Sequence, residues 1–228
     1  MIKAILWDMD GTLLNFLISE KNAVKKGFEH FGLGECSDEN VRLYSEINLR
    51  HWKMLEKGLI TKPEVKTGRY REFFKRLGIT SVTPEEFTAV YEKNLPETVE
   101  YIENAKEIVE SLRGRYKQYI VTNGTLSVQV KKIEKSGLKE LIDGAFISDE
   151  IGYEKPSKEF FSFVLSNIIP CERDEVLIVG DSLTSDMKGG NISGIKCCWY
   201  NPEKLENNTS LRIDYEINKL NEIYEILK

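Results

Sequence analysis

Short apolar runs recur along this chain, and helical patterns separate most of them. Ile2 to Trp7, Tyr119-Ile120-Val121-Thr122, Ala145-Phe146-Ile147-Ser148, Val176-Leu177-Ile178-Val179 and Ile195 to Tyr200 each have the length and apolar character of a buried strand. Leu126, Val130 and Ile133 form one helical stripe before Gly137. Phe160, Phe161, Val164, Leu165 and Ile168 form another after Pro156 and Ser157, and a last helix is expected from about Leu220 to Leu227. Alternation of this kind predicts an α/β fold, a parallel sheet with helices on both faces.

One stretch breaks the alternation. Between about Phe16 and Pro96 the strand-like runs vanish and helical spacing takes over. Tyr70, Phe73, Phe74 and Leu77 follow i, i+3, i+4, i+7, and Thr83-Pro84-Glu85-Glu86 is a capping box that opens a helix with Phe87, Val90 and Tyr91 inward. An all-helical insert of about eighty residues therefore follows the first strand. The expected division is a core of residues 1–15 and 101–228 and an inserted helical domain of residues 16–100, hinged near Leu14 to Ser19 and Leu95 to Tyr101. A chain of 228 residues has room for both, since single domains cluster at about 100–150 residues.

Charge and composition narrow the partners. A net charge of −5 opposes broad attraction to nucleic-acid polymers or anionic membrane surfaces, so neither is expected as a partner. Against that total, the segment from Arg50 to Arg76 carries nine Lys/Arg and three Glu, a local +6. Such a cluster is either a solvated helix face or a basic lid that gathers an anionic substrate. The apolar run Ala4 to Trp7 falls short of a signal peptide's ~7–15-residue apolar region, and no stretch approaches the ~20 apolar residues of a membrane span. Cys36, Cys171, Cys197 and Cys198 form no C-x-x-C pair, and the adjacent Cys197 and Cys198 sit in a strand-like run as core residues. A cytoplasmic location is expected.

Four places along the core carry chemistry. The first apolar run ends in Asp8-Met9-Asp10-Gly11-Thr12, and on an extended chain Asp8 and Asp10 point to the same side. One can attack while the other handles the proton. Gly11 suits a tight turn, and Thr12 can orient a carboxylate or bond a phosphate oxygen. Taken alone, two such acids also make an ordinary turn and helix cap. Thr122-Asn123-Gly124 follows a second strand and precedes a helix, whose N-terminus is a natural phosphate site. Lys155, held before Pro156, can neutralise a phosphate and a nucleophilic carboxylate together. Gly180-Asp181-Ser182-Leu183-Thr184-Ser185-Asp186 follows a further strand, and such hard oxygen ligands suit Mg²⁺. Asp181 fits a direct ligand; Asp186 either ligates through water or holds the local geometry. His30 and His51, the chain's two histidines, both lie in the insert, which counts against a histidine-based phosphatase or a His-rich zinc site.

The order and content of these segments resemble the haloacid dehalogenase-like hydrolase superfamily, through Asp8-x-Asp10-Gly11-Thr12, Thr122, Lys155 and Gly180-Asp181 with Asp186. The resemblance implies a Rossmann-like core with a helical cap inserted after the first motif. It also implies Mg²⁺ held by the Asp8 side chain, the Asp10 backbone carbonyl and Asp181, with Asp8 as nucleophile and Asp10 as general acid and base. Superfamily members that remove halide generally lack that second acid, so Asp10 favours phosphate chemistry. Thr122, Asn123 and Lys155 are the expected phosphate-binding and charge-stabilising groups.

A looser similarity, spanning most of the chain, is to the pyrimidine 5′-nucleotidase subfamily. Gly58-Leu59-Ile60-Thr61, Gly68-Arg69-Tyr70 through Leu77, Thr122-Asn123-Gly124 and Cys198-Trp199-Tyr200-Asn201 carry it. Many capped relatives have a Pro-Gly pair near the second hinge, where this chain has Ile102-Glu103-Asn104-Ala105. The insert is then expected to act as a substrate-selecting lid, with Arg69 or a nearby lysine reaching the substrate and an aromatic ring stacking on its base. Tyr70, Phe73 and Phe74 serve equally well as the insert's own core. Three functions remain open: a nucleoside monophosphatase; a phosphatase of sugar phosphates or other small metabolites, or a phosphosugar mutase using the same aspartyl-phosphate; and a non-catalytic binding protein. The expected partner is a small phosphorylated metabolite, and the chain is expected to be a monomer or small homo-oligomer.

Overall fold

In a computed structural model describing residues 1–227, the apolar runs become the strands of one sheet. They are β1 (Ala4–Trp7), β2 (Lys117–Thr122), β3 (Gly144–Ile147), β4 (Val176–Gly180), β5 (Lys196–Tyr200) and β6 (Tyr215–Ile217). The helices are α1 (Phe16–Phe31), α2 (Asp38–Glu56), α3 (Lys62–Leu77), α4 (Pro84–Asn94), α5 (Ala105–Leu112), α6 (Leu126–Ser136), α7 (Ser148–Ile151), α8 (Lys158–Asn167), α9 (Lys188–Ser193) and α10 (Ile223–Ile226). The expected terminal helix is divided, a 3-10 turn at Leu220–Glu222 leading into α10.

The chain forms two units, one of Met1–Asn15 with Glu100–Lys228 and one of Phe16–Val99. In the first, all six strands run parallel in the order β3-β2-β1-β4-β5-β6. β1 lies at the centre, and the direction of winding reverses beside it, which opens a crevice at the carboxyl ends of the strands. Trp7 pairs in register with Ile120 of β2 and Val179 of β4, so β1, β2 and β4 end at nearly the same level. All four residues of β1 are buried, as expected of a central strand covered on both faces. One face packs Ala4, Leu6, Val121, Val176 and Ile178 with Phe160, Phe161 and Val164 of α8 and with Met187. On the other, Trp7 donates its indole N–H to Gln118, which donates in turn to the Val109 carbonyl of α5. Cys197 and Cys198 are fully buried in β5, and burial pushes the Cys197 thiol up to about 11.

The second unit consists of α1 to α4 around an aromatic core. Tyr44, Tyr70, Phe73, Phe74, Phe87 and Tyr91 are all buried, and the Tyr44 and Tyr70 rings stack with centroids 5.4 Å apart. The Thr83 side chain and backbone bond with Glu86 at the start of α4, completing both halves of the capping box. No helix among the described residues is long and apolar enough to cross a membrane.

Candidate active site

Asp8 continues β1 by one residue, its N–H bonded to the Val179 carbonyl of β4 at 2.9 Å. That bond fixes the side chain at the mouth of the crevice, where Asp8 is only 7% exposed. Its Oδ1 accepts from Lys155 Nζ at 2.7 Å, whereas its Oδ2 is buried with no hydrogen-bond partner. Lys155 spends its three hydrogens on Asp8 Oδ1, Asp186 Oδ1 at 2.7 Å and the Val121 carbonyl at 2.8 Å. A buried ammonium is tolerated only with such complete pairing. Burial opposes its charge, but Asp186 and Asp8 outweigh burial and hold its pKa above the ordinary lysine value.

Asn123 secures this lysine from behind. Its Oδ1 accepts from the Lys155 N–H at 2.8 Å and its Nδ2 donates to the Lys155 carbonyl at 3.0 Å, so its side chain clasps the lysine loop. A contact from Asn123 to phosphate would therefore have to come from its main chain. The start of α6 is also partly engaged, since Leu126 N–H donates to the Asp149 carboxylate at 2.9 Å. Thr122 is 1% exposed, and its hydroxyl accepts from Gln129 at 2.6 Å.

Asp181 directly follows β4, and Asp186 stands on a wide π-helical turn, Leu183–Met187. Gly180 makes room for that turn, because a Cβ at this position would lie 2.4 Å from Asp186 Cγ. Asp186 Oδ2 accepts from the Ser182 N–H at 3.1 Å, and Asp181 Oδ1 accepts from Thr12 Oγ1 at 3.4 Å. Ligand oxygens of Asp8, Asp181 and Asp186 all lie within 4.8 Å of one another. Burial, opposed by Lys155 and reinforced by Asp186 and Asp181, lifts the Asp8 carboxyl well above the usual carboxylate range. Three acids with ligand oxygens this close, one of them a buried carboxylate oxygen left unpartnered, fit a hard divalent cation.

Asp10 is held by two residues that the sequence reading passed over. Its Oδ1 is 2.7 Å from Lys132 Nζ and its Oδ2 is 3.0 Å from Gln129 Nε2. The expected stripe on α6 is displaced: Val130 is 38% exposed, and the buried face is Val128, Gln129, Lys132 and Ile133. Helical side chains lean toward the helix N-terminus, which here carries Gln129 and Lys132 back toward the strand ends. The available signal was two polar residues at i, i+3 flanked by Val128 and Ile133.

Asp8, Asp10, Thr122, Lys155, Asp181 and Asp186 all belong to the sheet-bearing unit, and the contacts above link them into one cluster. Arg69 belongs to the helical unit and is 4% exposed there. Its guanidinium donates to Asn48 Oδ1 at 2.7 Å and lies 4.9 Å and 5.0 Å from the ring centres of Tyr70 and Tyr91. That burial runs against the expectation that Arg69 reaches a substrate, and Tyr70, Phe73 and Phe74 are core of the same unit.

Residues 5–200 match the model of the haloacid dehalogenase-like hydrolase family. The HAD-hydrolase YfnB of Bacillus subtilis is 34% identical over 99% of this chain and 95% of its own. The pyrimidine 5′-nucleotidase PynA of Streptococcus pneumoniae is 31% identical over 99% of this chain and 94% of its own. A crystal structure of YfnB bound to magnesium superposes with a TM-score of 0.94, covering 100% of this chain and 99% of that one. With the six-stranded parallel order and the acid and lysine cluster at its carboxyl edge, these similarities place the chain in the haloacid dehalogenase-like hydrolase family.

Proposed function

We propose that this chain is a Mg²⁺-dependent phosphatase of small phosphorylated metabolites, with Asp8 as nucleophile and Asp10 as general acid and base. The observation that carries the reading is Asp8 itself: one oxygen held by Lys155, the other buried and unpartnered. A folded protein gains nothing from an orphaned buried carboxylate oxygen unless an electron-deficient centre comes to meet it. A binding protein of the same fold has no need of a nucleophile beside a proton donor.

Asp8, the Asp10 carbonyl and Asp181 would hold the cation, with Asp186 steadying Lys155 behind them. When bound, Mg²⁺ supplies positive charge against the phosphoryl oxygens. The Asp8 carboxylate attacks phosphorus as the bond to the ester oxygen breaks, and Asp10 gives that oxygen its proton. Asp10, now a base, takes a proton from a water that attacks the phosphoryl group on Asp8, which releases phosphate and restores both acids. Lys155 and the Thr122 hydroxyl meet charge on the phosphoryl oxygens.

The ester we infer is a pyrimidine or non-standard nucleoside 5′-monophosphate, supported by the likeness to PynA along nearly the whole chain. The test is a panel of phosphate esters with Mg²⁺, comprising p-nitrophenyl phosphate, nucleoside monophosphates of each base and sugar, and sugar phosphates. The expected result is turnover abolished by EDTA and highest on pyrimidine or non-standard nucleotides. Turnover that persists in EDTA sinks the metal-dependent reading. A sugar phosphate at the head of the panel replaces the nucleotide assignment, and isomerised product marks a mutase.

A further inference from the structure

Two polar side chains on the sheet-facing side of α6 have no part in the reaction as written above. Lys132 is 1% exposed and Gln129 is 2% exposed, yet both reach Asp10, whose side chain is 20% exposed. Lys132 Nζ lies 2.7 Å from Asp10 Oδ1, and Gln129 Nε2 lies 3.0 Å from Asp10 Oδ2. Each carboxylate oxygen thus has its own donor, and both donors stand on one helix. An apolar pair at these two positions would cover the sheet at lower desolvation cost, so the polar pair is kept for what it touches.

The direction of the Gln129 amide follows from its neighbours. Asp10 Oδ2 and the Asn123 carbonyl, 3.3 Å away, both accept, so the NH₂ edge must face them. The same NH₂ donates to Thr122 Oγ1 at 2.6 Å, the longer contact to the Asn123 carbonyl sharing one of its two hydrogens, and the Thr122 hydroxyl hydrogen points toward that carbonyl, away from Gln129. Gly124 permits this reach: its φ is 155°, and a Cβ there would lie 2.8 Å from Gln129 Cδ. Gln129 therefore ties the acid after β1 to the hydroxyl at the end of β2.

We propose that Lys132 and Gln129 are positioning residues for Asp10, holding its carboxyl group in the plane from which its protonated form gives its proton to the departing ester oxygen and its carboxylate form then receives one from water. This inference rests on the phosphatase reading.

A residue that serves only the fold lowers turnover of every ester alike; one that serves proton delivery does not. The test compares kcat/KM for p-nitrophenyl phosphate, whose leaving group departs with little need of a proton, with kcat/KM for the alkyl phosphate ranked first in the panel. Lys132→Met and Gln129→Leu are each expected to lose about 10²-fold on the alkyl ester and under about 10-fold on the nitrophenyl ester. Lys132→Arg is expected to recover most of the alkyl-ester loss. Equal losses on both esters overturn the positioning role. Should Lys132→Met fail to fold, Gln129→Leu and Lys132→Arg carry the same comparison. A wild-type chain that turns over neither ester overturns the phosphatase reading, and a wild type active on both, with variants equally impaired, overturns only the role of α6.

Discussion

Asp8 sits beside two further carboxylates and shares one ammonium with Asp186, and the local charge balance explains its chemistry. Lys155 neutralises one acid's worth of charge, while Asp8, Asp181 and Asp186 have ligand atoms within 4.8 Å of one another. Burial and the surplus negative charge raise the Asp8 carboxyl well above the usual carboxylate range, and a bound cation would oppose that shift. Asp186 belongs to the lysine more than to the surface, at 1% exposed and 2.7 Å from Lys155 Nζ. Its place depends on Gly180, where a Cβ would come within 2.4 Å of Asp186 Cγ. Gly180→Ala is therefore expected to displace Asp186 and cost about 1–3 kcal/mol, read as a lowered thermal midpoint, with a loss of turnover. A variant as stable and active as the wild type would show that Asp186 can shift freely.

At the scale of elements, α5 begins with a residue under backbone strain. Asn104 precedes it at φ 64°, in the left-handed region that favours glycine, within the hinge-side stretch Ile102-Glu103-Asn104-Ala105. Asn104→Ala is expected to lose about 1 kcal/mol in urea unfolding, and Asn104→Gly to stay within about 0.5 kcal/mol of the wild type. Equal stability of the two variants would contradict that strain. The sheet was legible because β1, β2, β4 and β5 are nearly or wholly buried and so spell continuous apolar runs. β6 was not, because Tyr215–Ile217 is a three-residue edge strand whose pattern of half-buried, exposed and buried has no length to announce itself. The inward face of α6 was misplaced for a different reason. A search for apolar stripes discards Gln129 and Lys132, and the carboxylate that makes them buried residues lies 119 and 122 positions away in the chain. The contacts of Asp8 with Lys155, across 147 positions, were anticipated because each group follows its own recognisable segment.

Across the whole molecule, charge is distributed less freely than the sequence suggests. In the basic segment, Arg50 and Arg76 both pair with Glu72, Lys66 lies 3.1 Å from Glu92, and Arg69 is buried. These pairs turn part of the local positive charge inward to the helical unit itself, which favours a solvated, internally paired face over a free basic lid. The sheet-bearing unit contains every acid, lysine and threonine that the proposed reaction uses. The central step of the proposed reaction leaves a phosphoryl group carried by Asp8. The most direct measurement is acid quench during turnover of the best ester with Mg²⁺, followed by mass spectrometry of the peptide containing Asp8. The predicted result is a phosphoryl adduct on Asp8 that is absent, along with turnover, in Asp8→Asn. Undiminished ester hydrolysis by Asp8→Asn, or an adduct on another residue, would contradict it.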